Sequence, residues 1–170
     1  KPILDHLNKL PTYIQSDKEN EWDPRIIDNN ISKGFIVSRG LGYALATEIS
    51  LKFKELALEL IEPFSSAEVI HGPKTLIDNT LKLFILSLND LSGKAVREDT
   101  KFFETISDRI YSINANDDQK FNFKFDTLKV AEIDSILLMS KFYPMIIKYS
   151  ILKGLNPDKP RYLSKITKTL

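Results

Sequence analysis

Glu48, Lys52, Glu55 and Glu59 recur at intervals that place them in one stripe of a helix, since about 100° per residue brings positions i, i+4 and i+7 to one side. Apolar residues flank that stripe. Ala46, Ile49, Phe53, Leu56, Ala57 and Leu60 share one arc, and Ala44, Leu51 and Leu58 lie across the axis. A carboxylate next to a lysine between apolar surfaces is what a partly desolvated acid/base site requires, because burial and a paired cation tune its proton affinity. The same spacing also describes a salt-bridge ladder on a surface helix. Downstream, His71 stands just before Gly72 and Pro73, a pair that stops regular structure and fixes the local backbone. An imidazole on such a turn suits proton transfer near neutral pH, although a single loop histidine also reads as polar surface. His6, among polar neighbours, reads only as surface.

These side chains need elements to hold them. Phe35, Ile36 and Val37 form an apolar strand, Ser38-Arg39-Gly40-Leu41-Gly42 a turn, and the helix starts at about Tyr43. Residues 80–88 (TLKLFILSL) read as a buried strand, 94–107 as a helix and 109–114 as a further strand. Asn116-Asp117-Asp118 marks a loop, and Phe121, Phe123 and Phe125 alternate as a strand does. A second long helix spans about 132–154, stopped by Gly154, Pro157 and Pro160. Ahead of all this, Ile3, Leu4, Leu7 and Leu10 have helical spacing with Pro11 interrupting, and Trp22 is placed to cover a sheet edge. Strands alternating with helices predict an α/β three-layer sandwich, a mostly parallel sheet flanked by helices in the Rossmann or flavodoxin manner. One domain is expected over 1–170, with a leading helical segment (1–33) and an extended C-terminal tail (155–170) anchored by Leu163.

The composition narrows the chemistry. The chain has 170 residues, 42% of them hydrophobic, enough for one sizeable core. Lysine and arginine number 24 against 23 acidic residues, so there is no net field to attract nucleic acid. Cysteine is absent, which removes disulfides, thiolate metal sites and a cysteine nucleophile together. No apolar run is expected to reach the length of a membrane span and no signal-peptide layout is visible, so the expectation is a cytoplasmic protein without membrane or nucleic-acid partners.

Two motifs carry a resemblance. The segment YALATEISLKFKELALELIEPFSSAEVIHGP is similar to the second sugar isomerase (SIS) domain of double-SIS enzymes, in which an E-x-x-x-K-x-K-E helix leads to an A-E-x-x-x-x-E-x-x-H-G-P turn. The C-terminal GLNPDKPRYLSKITKTL resembles the D-x-P-R-x-L-x-K-x-x-x-T tail that closes those chains. Either motif alone is moderate evidence, and the two in order are specific.

The resemblance implies a set of roles. Glu55 takes the place of the base that moves a proton between C1 and C2 of a sugar phosphate, His71 that of the group opening the ring, and Lys165 that of the lysine forming an imine with the open-chain ketose. Glu48 and Lys52 orient Glu55, and Ser164 joins them in contacting substrate. The family's histidine comes from the neighbouring subunit, so a homodimer is implied. No cofactor or metal is implied. The Ser/Thr-rich phosphate loops belong to the family's first SIS domain, and Ser87-Leu88-Asn89-Asp90 here lacks their hydroxyl cluster. Both that loop and the Ser38–Gly42 turn are therefore expected to be structural, although a helix start in a glycine turn is also where an anion rests. Ser38 departs from the glycine usual in the family. The tail and SSAEVIHGP lie nearer the glucosamine-6-phosphate deaminases than the glutamine-dependent fructose-6-phosphate aminotransferases, whose glutaminase part uses a cysteine. Conversion of glucosamine 6-phosphate to fructose 6-phosphate and ammonia is thus the expected activity. The isomerase part of an aminotransferase is the alternative, and a sugar-phosphate-binding regulatory module the alternative of another class.

Overall fold

In the computed structural model the described residues are 2–16, 21–114 and 123–163. Five strands, β1 (Lys33–Ser38), β2 (Leu60–Ser65), β3 (Lys82–Ser87), β4 (Ile110–Asn114) and β5 (Phe123–Lys124), form one sheet in the order β2-β1-β3-β4-β5. Every pairing is parallel. The helices are α1 (Pro2–Ser16), α2 (Leu41–Ala57), α3 (Ser66–His71), α4 (Leu91–Phe103) and α5 (Ala131–Leu152), with short 3-10 turns at Pro24–Ile26 and Pro73–Leu76.

Alternation along β1 and β3 divides the apolar side chains into two cores. Ile36, Phe84 and Leu86 join Ile49 and Phe53 of α2 and Leu138, Phe142 and Ile146 of α5 on one face. Phe35, Val37, Leu83 and Ile85 meet Val69, Val96 and Phe103 on the other, which α3 and α4 cover. The result is the expected three-layer α/β sandwich. Trp22 lies over the β5 edge as expected, its ring 5.1 Å from that of Phe123 and its indole N–H donating to the carbonyl of Lys124.

Several expectations need correction. α1 runs through Pro11 to Ser16 instead of stopping there. α2 ends at Ala57, where Leu58 adopts φ 54° and caps the helix through its N–H to the Phe53 carbonyl. Leu60 therefore opens β2, a strand hidden in the helical periodicity, and Glu59 leaves the helix stripe altogether. Leu163 is about half exposed and belongs to neither core, so it is not the buried anchor expected. α5 is long and apolar enough, by length and composition, to cross a membrane. Its buried side, however, includes Asp134, Tyr149 and Ser150, which hydrogen-bond to other parts of the protein, as in a core helix. The Asn116–Asp118 loop and Phe121 lie outside the described residues.

Candidate functional site

The last two turns of α2 carry the stripe. Lys52 Nζ lies 2.7 Å from Glu55 Oε2 and 3.6 Å from Glu48 Oε1. Tyr143 of α5 donates from its hydroxyl to Glu48 Oε1 at 3.0 Å, so the triad is fixed from the neighbouring helix as well as along its own. All three side chains are partly buried, at 35%, 23% and 28% exposure for Glu48, Lys52 and Glu55, between a solvated ladder and a closed site. The hydrogen bond to Glu55 is the main cause that holds the Lys52 ammonium above its ordinary range, with the charge of Glu48 adding to it against the opposing effect of burial. The pair thus sets a cation directly beside the Glu55 carboxylate and fixes its orientation.

Glu55 opens onto a cleft of roughly 190 Å³ that the stretch after α5 closes from above. Leu56, Leu58, Asn156, Lys159 and Arg161 are among its walls. That stretch leaves the helix at Gly154, whose φ of 73° suits glycine, and Asn156 then makes a tight turn by accepting the Asp158 N–H on its side chain at 2.9 Å. The start of the tail motif, as far as Arg161, and the end of α2, far apart in sequence, are thus neighbours in space. Ser164 and Lys165 lie outside the described residues. Asn156 and Lys159 were not singled out from the sequence, and Arg161 appeared only as part of the tail motif.

His71 is elsewhere. It is exposed at the end of α3, which is capped by a reciprocal pair: the Ser65 side chain takes the Glu68 N–H, and Glu68 accepts the Ser65 N–H at 3.2 Å. α3 belongs to the layer on the opposite side of the sheet from α2. A single chain therefore does not bring His71 to Glu55.

In a sheet of this order the topological switch point lies between β1 and β3. Most of its polar groups are taken up internally, but Ser87 Oγ, at the end of β3, is buried without a hydrogen-bond partner among the described residues. Ser38 Oγ donates to the Leu86 carbonyl at 2.8 Å, and Arg39 bonds Ser66 Oγ at 2.6 Å and Asp99 Oδ2 at 2.8 Å. Asp90 Oδ1 accepts the Gly93 N–H at the start of α4, occupying a position an anion would use. Gly40, at φ 57°, makes the turn between β1 and α2. Among the described residues no three His, Asp or Glu side chains converge as a metal would need.

One polar cluster escaped the sequence reading. Glu59, fully buried, receives Lys82 Nζ on both oxygens at 2.8 and 2.7 Å. It also accepts the Tyr149 hydroxyl at 2.7 Å and Lys153 Nζ at 2.6 Å. Burial depresses the Lys82 ammonium against the pull of Glu59, and burial together with Glu59 pushes the Tyr149 phenol upward. Lys82 inside an apolar strand was the available signal, since a buried lysine requires a partner.

Known proteins resemble this chain in sequence and in fold. The chain is 30% identical over 173 residues to the glutamine–fructose-6-phosphate aminotransferase (isomerizing) of Sulfurisphaera tokodaii, covering 97% of this chain and 28% of that one. The solved C-terminal domain of the glucosamine-fructose-6-phosphate aminotransferase of Francisella tularensis matches with a TM-score of 0.69 at 19% identity, over 91% of this chain and 46% of that one. Glucosamine-6-phosphate deaminase of Thermotoga maritima matches with a TM-score of 0.62, also at 19% identity, over 95% and 47%. No protein-family profile matches the chain. The chain spans little more than a quarter of the length of its sequence relative and about half that of the solved structures.

Proposed function

Because this chain is an SIS domain related in sequence to the isomerizing aminotransferases, we propose that it is the C-terminal half of an enzyme that isomerises glucosamine 6-phosphate to its C2 imine, which one water hydrolyses to fructose 6-phosphate and ammonia. The observation that carries the reading is the Lys52–Glu55 pair opening onto a cleft walled by the start of the tail. Glu55 is the base that takes the proton in the C1–C2 shift, and Lys52, itself held by Glu48, keeps it aimed. Lys165, a few residues beyond the cleft wall in sequence, is the amine that captures the open-chain carbonyl. His71 of a second copy opens the ring, since His71 and Glu55 of one chain are on opposite faces of the sheet. A preceding SIS half supplies the phosphate anchor, and remote binding of the phosphate is what holds so small a substrate against a weakly reactive carbon acid. The enzyme works in the cytoplasm as a homodimer.

Ammonia release from glucosamine 6-phosphate by the full-length protein is the test, with Glu55→Gln as its control. Loss of a positioned general base lowers turnover by about 10²- to 10⁴-fold, and retained turnover in Glu55→Gln would remove Glu55 from the role. A second reading has its own support: the sequence relatives named are isomerizing aminotransferases. Glutamine-dependent synthesis of glucosamine 6-phosphate, with no ammonia release, would select it. Tight binding of sugar phosphate without turnover would instead select a regulatory module.

A further inference from the structure

Glu55 and the stretch that closes its cleft stand on different elements, and the distance between them is set by something other than themselves. Two side-chain ties cross the gap between the ends of α2 and α5. Ser150 Oγ donates to the Leu56 carbonyl at 2.7 Å, one residue beyond Glu55. Lys153 Nζ reaches Glu59 Oε1 at 2.6 Å from the residue just before the Gly154 turn. Glu59 does not move with the tail, because Lys82 at the start of β3 holds both of its oxygens and Tyr149 holds one. The backbone continues the clamp: Lys153 N–H bonds the carbonyls of Tyr149 and Ser150, and Leu155 N–H returns to Ser150 at 3.0 Å. The chain of contact runs from the sheet through Glu59 and Lys153 into the cleft wall.

We propose that Lys153 is a positioning residue for the reaction, fixing the tail against Glu55 by its bond to the sheet-anchored Glu59; this rests on the proposed role of Glu55. Lys153 can act this way without being essential to the fold. Removing its side chain leaves Glu59 paired with Lys82 and Tyr149, whereas removing Glu59 would strand a buried lysine. Its side chain is 16% exposed, so it sits at the boundary between the buried cluster and the cleft.

The test compares Lys153→Met and Lys153→Arg with wild type in the full-length protein, by steady-state kinetics on glucosamine 6-phosphate and by amide hydrogen exchange. In Lys153→Met, kcat falls roughly 10- to 100-fold, the scale expected for misplacement of about an ångström, while KM stays within about twofold because the phosphate anchor lies elsewhere. Exchange over 155–163 quickens at least about tenfold and exchange over β3 is unchanged, as for local rather than global opening. Lys153→Arg recovers most of both. Unchanged exchange over 155–163, or equal acceleration in β3, overturns the proposal. If the wild-type protein turns over no phosphosugar, the reading of Glu55 falls, and the exchange measurement decides the clamp by itself.

Discussion

Replacing Glu59 by leucine tests the energetics of the buried cluster directly. Lys82 has no exposed side-chain surface and, among the described residues, its Nζ bonds only Glu59 and the Tyr149 hydroxyl, so Glu59→Leu leaves a buried ammonium with a phenol as its remaining described partner. Removing one partner of such a pair costs about 3–5 kcal/mol, which for a domain of this size lowers Tm by roughly 6–20 °C. Lys82→Met leaves Glu59 with Lys153 and Tyr149 and costs less, about 1–3 kcal/mol. The double variant removes both buried charges, lets Lys153 turn to solvent, and is no worse than Glu59→Leu alone. The pH dependence has a definite sign. Burial already depresses Lys82 in the folded protein, so between its folded and unfolded values the unfolded chain binds more protons and stability rises with pH. Loss of Glu59 depresses Lys82 further and extends that window downward, so the deficit of Glu59→Leu shrinks from pH 7 to 9. Urea unfolding of the 170-residue chain and its three variants measures all of this. Strict additivity in the double variant, or a Glu59→Leu cost below about 1 kcal/mol, would refute the account.

Gly34→Ala places a methyl group 2.2 Å from the backbone carbonyl of Lys82, so despite its conservative look it destabilises by about 1–3 kcal/mol, readable by thermal melting. Trp22→Ala strips the cover from Phe123 and costs about 3–5 kcal/mol, checked by urea unfolding followed by circular dichroism. The 170-residue chain assayed beside the full-length protein is folded but inactive on glucosamine 6-phosphate. It self-associates through the apolar residues beside the Glu48–Lys52–Glu55 stripe, among them Leu51, Leu58 and Ile147, each about two-fifths exposed. Comparable turnover by the short chain, or a monomeric mass at high concentration in light scattering, would contradict those expectations.

β1, β3, β4 and β5 were all legible in sequence, β4 as the 109–114 run and β5 through the alternation of Phe123 and Phe125. β1 and β3 are continuous apolar runs because helices cover each side. β2 escaped because nothing announces the break before it: Leu58 enters the left-handed region without being glycine or asparagine, and Glu59, Leu60 and Ile61 continue a plausible helical pattern. The same disguise moved Glu59 from the core to an imagined surface stripe. Glu48, Lys52 and Glu55 could be grouped in advance because one helix sets their spacing. The Glu59, Lys82, Tyr149 and Lys153 group could not, since its members meet only after the sheet and α5 have packed.

The two margins of the sheet are closed in different ways. On β2, Leu60 N–H donates inward to the Ser32 carbonyl, so by strand parity Glu62 and Phe64 also face β1 while Pro63 faces away. The missing donor of Pro63 therefore falls on the outer side, where an added strand would lose a rung of its ladder. The opposite margin is sealed by the indole of Trp22, which uses the Lys124 carbonyl for itself. Both margins therefore disfavour lateral growth of the sheet, which makes the helical layers the better surfaces for a second copy or a companion domain. On the proposed reading, the α2 and α3 layers carry the separate halves of the chemistry, so a second copy that met them would join assembly to turnover.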